Sequence, residues 1–139
     1  MGGIVLPMSD NTYRVSGWEE NVVSGEETGP RYAHARARMA YTGVIEGEST
    51  VDYLVFYSGT GYVSDHPSLG LERIEGSVAG REGSFVIQHE VDFDATGITG
   101  RWTVLSGSGT GELAGLSGTG TIGGKHGETD LPYTFEYSF

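Results

Sequence analysis

Apolar and polar residues alternate with a period of two almost without interruption from Tyr13 to Phe139, which leaves the chain little to form but sheet. No window sustains the apolar repeat of a capped helix, so almost no helix is expected. Twenty-four glycines and four prolines punctuate the pattern, and the glycines are spaced rather than clustered. Candidate strands are Tyr13–Ser24, Arg31–Ile45, Glu48–Ser58, Leu69–Ala79, Ser84–Asp94, Gly97–Ser106, Gly115–Gly124 and Tyr133–Phe139. Turn chemistry separates them at Gly25–Pro30, Glu46-Gly47, Ser58–Gly61, Gly80–Gly83, Ala95-Thr96 and Lys125–Gly127. Long strands with short connections, and no helices to cover a sheet, imply closure on itself. The expected fold is all-β, an eight-stranded antiparallel up-and-down barrel without exposed edges. Such a barrel has room inside for packed side chains or one small ligand. A two-sheet sandwich is the competing all-β arrangement.

At 139 residues the chain holds one domain, assigned to residues 11–139, after an N-terminal segment, residues 1–10, expected to be flexible. Cysteine is absent, which excludes disulfides and thiolate metal sites and suits a reducing compartment. Met1-Gly-Gly-Ile-Val-Leu-Pro7 lacks a basic n-region, and its apolar run is too short for a signal peptide. No stretch approaches the roughly 18 unbroken apolar residues of a membrane helix. The expectation is a soluble, cytoplasmic protein. Nineteen acidic residues against eight Lys and Arg give a formal charge of −11, which repels nucleic acid and anionic membranes. Arg31, His34, Arg36 and Arg38 alternate with small apolar residues and read as the wet side of a strand.

Two hairpins define a candidate interior. With Arg81-Glu82 as the first loop, Val78 faces Phe85, Ile74 faces His89 and Glu72 faces Val91. With Ala95-Thr96 as the next, Phe93 faces Ile98, His89 faces Trp102 and Ile87 faces Val104. Both place Ile74, Val78, Phe85, Ile87, Val91, Phe93, Ile98, Trp102 and Val104 on one buried face, with Glu72 and His89 as its polar members. Ala33, Ala35, Ala37, Met39 and Tyr41 form an inward stripe whose small side chains leave room for a ligand. Tyr133, Phe135, Tyr137 and Phe139 share a face of the last strand. Glu48–Ser58 is apolar on both faces, so Leu54 and Phe56 on its outer side are candidates for contact with a second subunit in a homodimer. In the first strand Trp18, Ser16, Glu20 and Val22 share one face, and Tyr13, Val15, Gly17 and Glu19 the other. Which of the two points inward stays open, with Trp18 favouring its own side.

Tyr41-Thr-Gly-Val-Ile-Glu-Gly47, Gly70-Leu-Glu-Arg73, Gly80–His89 and Gly107–Leu116 resemble the signature blocks of a small bacterial domain family of unknown function, in order from about Trp18 to Tyr137. Its barrel is similar to allene oxide cyclase, in the broader calycin-like class. Gly109-Thr-Gly-Glu-Leu-Ala-Gly115 also resembles a strand turn of dirigent proteins and allene oxide cyclases. The resemblance implies a barrel of the kind that includes cofactor-free cyclases, which hold a flexible apolar substrate in one conformation. No residue role carries over from it, and a shared barrel does not establish a shared reaction.

The chemistry worth testing is Glu72 with His89 as a catalytic acid/base pair, because a carboxyl and an imidazole side by side among apolar groups can move a proton. The plainer reading is a buried hydrogen-bonded pair that satisfies itself. Substrate-binding candidates are Trp18, Ala37, Met39, Tyr41, Ile74, Phe85, Ile87, Trp102, Tyr133, Phe135 and Tyr137, although buried tyrosines are commonly core residues with a wet hydroxyl. Gly109-Thr-Gly-Glu-Leu-Ala114 matches a phosphate-cradling pattern but lacks the helix that such a loop needs, so strand-bend glycines are the better reading. His34, His66, His89 and His126 lie on different elements without metal-ligand spacing, so no metal and no cofactor are expected. The function expected is a cofactor-independent cyclase or isomerase acting on a small hydrophobic metabolite. The alternatives are a non-catalytic barrel that binds such a molecule and a structural dimer with a filled interior.

Overall fold

The computed structural model describes residues 11–59, 66–93 and 96–139. The N-terminal segment and the tips expected at Ser58–Gly61 and Ala95-Thr96 fall wholly or partly outside them. Eight strands, β1 (Thr12–Gly25), β2 (Arg31–Thr42), β3 (Ile45–Tyr57), β4 (Ser68–Val78), β5 (Arg81–Phe93), β6 (Gly97–Val104), β7 (Ser117–Lys125) and β8 (Leu131–Ser138), follow one another around a closed antiparallel barrel. A 3-10 turn at Gly111–Leu113 is the one helical element among the described residues. No helix there is long and apolar enough to cross a membrane.

Inward positions follow the alternation. Ala33, Ala35, Ala37, Met39 and Tyr41 of β2 are buried, as are Ile74 and Val78 of β4, Phe85, Ile87 and Val91 of β5, and Trp102 and Val104 of β6. The β5–β6 register is the one read from the sequence: Phe93 faces Ile98, His89 faces Trp102 and Ile87 faces Val104. The β4–β5 register is not. Val78 pairs with Arg81 and Ile74 with Phe85, so the loop is Ala79-Gly80 and Arg81-Glu82 belongs to β5. The slip moves the partner of Ile74 by four residues, an even number, which leaves every side chain on its expected face. The β2–β3 turn likewise falls at Gly43-Val44 rather than at Glu46-Gly47, because Gly43 takes the left-handed conformation that the reversal requires (φ 113°).

The two candidate faces of β1 turn out to be one. Gly17, at φ 72°, forms a bulge between the pairs Ser16↔Arg38 and Trp18↔Ala37. The extra residue shifts the alternation, so Tyr13 and Val15 before it and Trp18, Glu20 and Val22 after it all stand opposite the inward residues of β2.

The barrel has two unlike ends. At one, the β6–β7 connection folds back over β5: Thr110 accepts a hydrogen bond from the Ser84 backbone N–H, and Leu113 and Leu116 are buried. At the other, β1 pairs with β8 only at Thr12↔Pro132 and Tyr13↔Leu131, with Arg14 held to Asp130 at 2.5 Å. From there β1 runs beyond the start of β8 and, among the described residues, pairs with β2 alone.

Ala79 is the one non-glycine with positive φ among the described residues, at 49°, followed by Gly80 at 85°. Two successive left-handed residues make a type I′ turn, for which Asn-Gly is the preferred pair, and alanine there costs about 1 kcal/mol. Ala79→Asn should therefore raise the unfolding free energy by about 0.5–1 kcal/mol in urea titrations, with an unchanged m-value.

Candidate functional site

Alternation along β4 turns Ser68, Gly70, Glu72 and Ile74 into the lumen. The Glu72 side chain is fully enclosed, flanked across the ladders by Val51 of β3 and Ile87 of β5. Desolvating a carboxyl group in such a place is costly unless its oxygens find donors. Three side chains supply them. Tyr41 Oη–H donates to Oε2 at 2.6 Å, Ser49 Oγ–H donates to the same oxygen in a short contact, and His89 Nε2 stands 2.6 Å from Oε1. The barrel thus unites the expected pair, Glu72 and His89, and adds Tyr41 and Ser49. Ser49 was legible in the sequence: it continues, one step earlier, the alternation of Val51, Tyr53, Val55 and Tyr57.

His89 faces Gly70, which in turn faces Tyr53. The missing side chain matters, because a Cβ on Gly70 would overlap the Tyr53 ring. That ring lies over the glycine, with its centroid 5.7 Å from that of His89. Trp102 occupies the space above Gly120 in the same way. Four buried polar atoms, His89 Nδ1, Tyr53 Oη, Trp102 Nε1 and Ser68 Oγ, have no hydrogen-bond partner among the described residues. Burial, reinforced by the charge of Glu72, raises the Tyr41 and Tyr53 phenols well above their ordinary value, and burial pushes Tyr133 up to about 12. These groups are neutral hydrogen-bond donors rather than bases near neutral pH.

The open end of the barrel carries a different feature. A cavity of about 1060 Å³ lies between the overhanging part of β1 and the ends of β5, β6, β7 and β8. Trp18, Val22, Val55, Phe93, Ile98 and Leu131 supply its apolar walls, and Glu20, Tyr57, Lys125 and Glu128 are among its polar groups. The Trp18 ring lies 6.2 Å from Tyr53 and 6.0 Å from Phe93, and Tyr53 meets Phe93 edge-on at 5.6 Å. The Glu20 carboxylate is fixed by Trp18 Nε1–H at 3.2 Å and Tyr57 Oη–H at 2.7 Å.

A family model described as a protein of unknown function, DUF3224, matches residues 9–137. The chain belongs to the DUF3224 family. The crystal structure of a DUF3224 protein of unknown function from Shewanella oneidensis MR-1 is 24% identical, covers 94% of this chain and 98% of its own, and superposes with a TM-score of 0.66. At that identity the likeness extends to the fold. No curated protein matches the sequence.

In this DUF3224 barrel the substrate-binding candidates divide into three groups. Ala37, Met39, Tyr41, Ile74, Phe85, Ile87, Trp102 and Tyr133 are buried inside the barrel, and Phe135 is partly buried against Trp102 and Phe85. None of these nine lines the cavity. Trp18 does line it and is 45% exposed. Tyr137, expected to face a ligand, is 38% exposed and stacks in a row of rings between Phe135 and Phe139, where β8 passes the plugged end. Phe93 and Ile98, expected in the core, are only partly buried because they form the cavity wall. Among the described residues no three His, Asp or Glu side chains converge to hold a metal ion. Leu54 of the outer face is exposed beside Leu69 and Leu71 of β4.

Removing the Glu72 carboxylate would leave two hydroxyls and an imidazole nitrogen buried without their acceptor. At about 1–3 kcal/mol for each stranded group, Glu72→Ala should lower the unfolding free energy by more than about 3 kcal/mol in chemical denaturation. A loss below about 1 kcal/mol would mean that the network contributes little to the fold.

Proposed function

We propose that the protein binds a small, largely apolar molecule in the cavity at the open end of its barrel. The observation that carries this reading is the cavity itself: about 1060 Å³, with aromatic and aliphatic walls from Trp18, Val22, Val55, Phe93, Ile98 and Leu131, and with polar and charged groups, Glu20, Tyr57 and Lys125 among them, placed around those walls. Ligand sites have that make-up, and the volume suits a molecule of drug or metabolite size. Tyr53 touches both the cavity aromatics and His89, so it stands in the path from the cavity to the lumen. The Glu72 network then acts as a rigid base that holds Tyr41 and His89, and through His89 the Tyr53 ring, in position.

A catalytic reading has one specific observation in its favour. His89 Nδ1, Tyr53 Oη and Trp102 Nε1 are buried polar atoms without a hydrogen-bond partner among the described residues, beside a carboxyl–imidazole pair in contact at 2.6 Å. A displacement of the Tyr53 ring would bring a bound molecule against them. Under that reading the barrel is allene oxide cyclase-like, and the protein is a cofactor-independent cyclase or isomerase in which shape orders the substrate and Glu72 with His89 moves a proton. Glu72→Gln would then reduce turnover about 10²–10⁴-fold while leaving affinity in place.

The binding reading is tested with a solvatochromic apolar dye. Val22 is 40% exposed on the overhanging strand, so Val22→Arg puts a long charged side chain into the cavity without disturbing the core. Dye affinity should fall at least about tenfold in Val22→Arg, since a buried apolar contact is exchanged for a charge. It should stay within about twofold in Ser117→Ala, on the exposed side of β7. Equal affinity in both variants would remove the cavity as the site.

A further inference from the structure

We infer that the ligand of this cavity is a cation, an apolar molecule bearing an ammonium group, held by Glu20 against the Trp18 ring. The inference rests on the proposed binding role of the cavity and adds the chemical class of what enters it. Glu20 is placed for this by the Gly17 bulge, which turns Trp18, Glu20 and Val22 together onto the inner face of β1. Its two carboxylate oxygens receive hydrogen bonds from Trp18 Nε1 and Tyr57 Oη, both uncharged donors. Among the described residues no Lys, Arg or His stands within ion-pair distance of Glu20. The carboxylate is thus oriented by uncharged donors, and holds no ion pair among the described residues, at the edge of an aromatic cluster.

The other charged groups around the cavity do not reverse that sign. Glu27 of the β1–β2 turn and Glu128 of the β7–β8 turn face it, and Lys125 at the end of β7 and His126 just after it stand at the same rim. Glu128 is oriented by the Lys125 backbone N–H at 2.6 Å. Arg31 is engaged elsewhere, with its guanidinium 4.4 Å above the Tyr57 ring and bonded to the carbonyls of Gly29 and Gly59. Three carboxylates, Glu20, Glu27 and Glu128, against one ammonium make the cavity anionic, within a chain of net charge −11. A neutral apolar ligand gains nothing from that field, and an apolar anion is repelled. An ammonium gains from the field, and from the indole face when it lies within about 6 Å of the ring. A hydrocarbon-bearing cation satisfies the apolar walls and the carboxylate together.

The test compares benzyltrimethylammonium with its uncharged carbon isostere, in which a tert-butyl carbon replaces the nitrogen, by Trp fluorescence titration and calorimetry. The ammonium should bind at least about tenfold more tightly than the isostere, with the advantage shrinking as salt is raised. Glu20→Gln should abolish most of the preference while leaving the affinity of the isostere within about twofold. Trp18→Leu, which keeps apolar volume, should reduce the preference as well. Equal binding of the two compounds by the native protein overturns the cationic class while the cavity remains a binding site, and a preference that survives Glu20→Gln overturns the assignment of Glu20 as the group that holds the cation. If neither compound nor the solvatochromic dye binds, the binding role itself fails, and this inference fails with it. The native comparison needs no variant, so a misfolded Glu20→Gln protein would not blunt the test.

Discussion

A closed barrel needs every strand to have two neighbours, and among the described residues β1 has two only where it begins. It lies against β2 along its whole length but meets β8 at Thr12 and Tyr13, because β8 starts at Leu131 and the strands run antiparallel. Strand tilt makes such a stagger inevitable somewhere in a closed sheet. Here the remainder of β1 projects past the barrel wall and leaves a gap roofed by its inner face. Everything distinctive about the open end follows. Trp18 and Val22 would be core residues in a fully paired strand, but here they are half-exposed walls of a cavity. The Gly17 bulge sharpens the effect, since without it Glu20 and Trp18 would point to the outside.

The interior solves a separate problem. A carboxyl group in the middle of an eight-stranded barrel must be given donors by the strands around it, and Tyr41, Ser49 and His89 come from three different ones. Agreement among four strands fixes their relative register, so the network specifies the barrel as well as stabilising it. Glycines make room for this arrangement: the rings of Tyr53 and Trp102 lie over Gly70 and Gly120. The wealth of glycine in the chain is to that extent a packing requirement, with aromatic rings filling the volume that side chains on those strands would have taken.

The barrel and its buried polar pair were legible in the sequence because the period of two survives errors of register. The β4–β5 hairpin illustrates this: its loop moved from Arg81-Glu82 to Ala79-Gly80, yet Glu72, Ile74 and Val78 kept their faces. What alternation cannot express is a break in itself. The Gly17 bulge merges the two faces of β1, and a glycine in a strand reads equally as a bend, a bulge or a gap for a ring. The cavity was misplaced for a related reason. The alanines of β2 suggested a hollow lumen, but they are buried in a common core with Tyr53, Trp102 and Phe85, and none of them lines the cavity. The actual opening depends on the stagger of β1 against β8, a long-range property with no local signature. Tyr137 keeps its expected parity on β8 but stands half-exposed among the rings of Phe135 and Phe139.

The molecule thus divides into a sealed polar core and an open aromatic cavity, joined by the Tyr53 ring. On the proposed function, molecules enter at the overhang of β1. Amide chemical-shift mapping during titration with an apolar ammonium compound tests that claim most directly. The expected result is a set of saturable shifts centred on Trp18, Val22, Phe93, Ile98 and Leu131. Shifts centred instead on Leu54, Leu69 and Leu71 of the outer face, or none at saturating concentration, would contradict it.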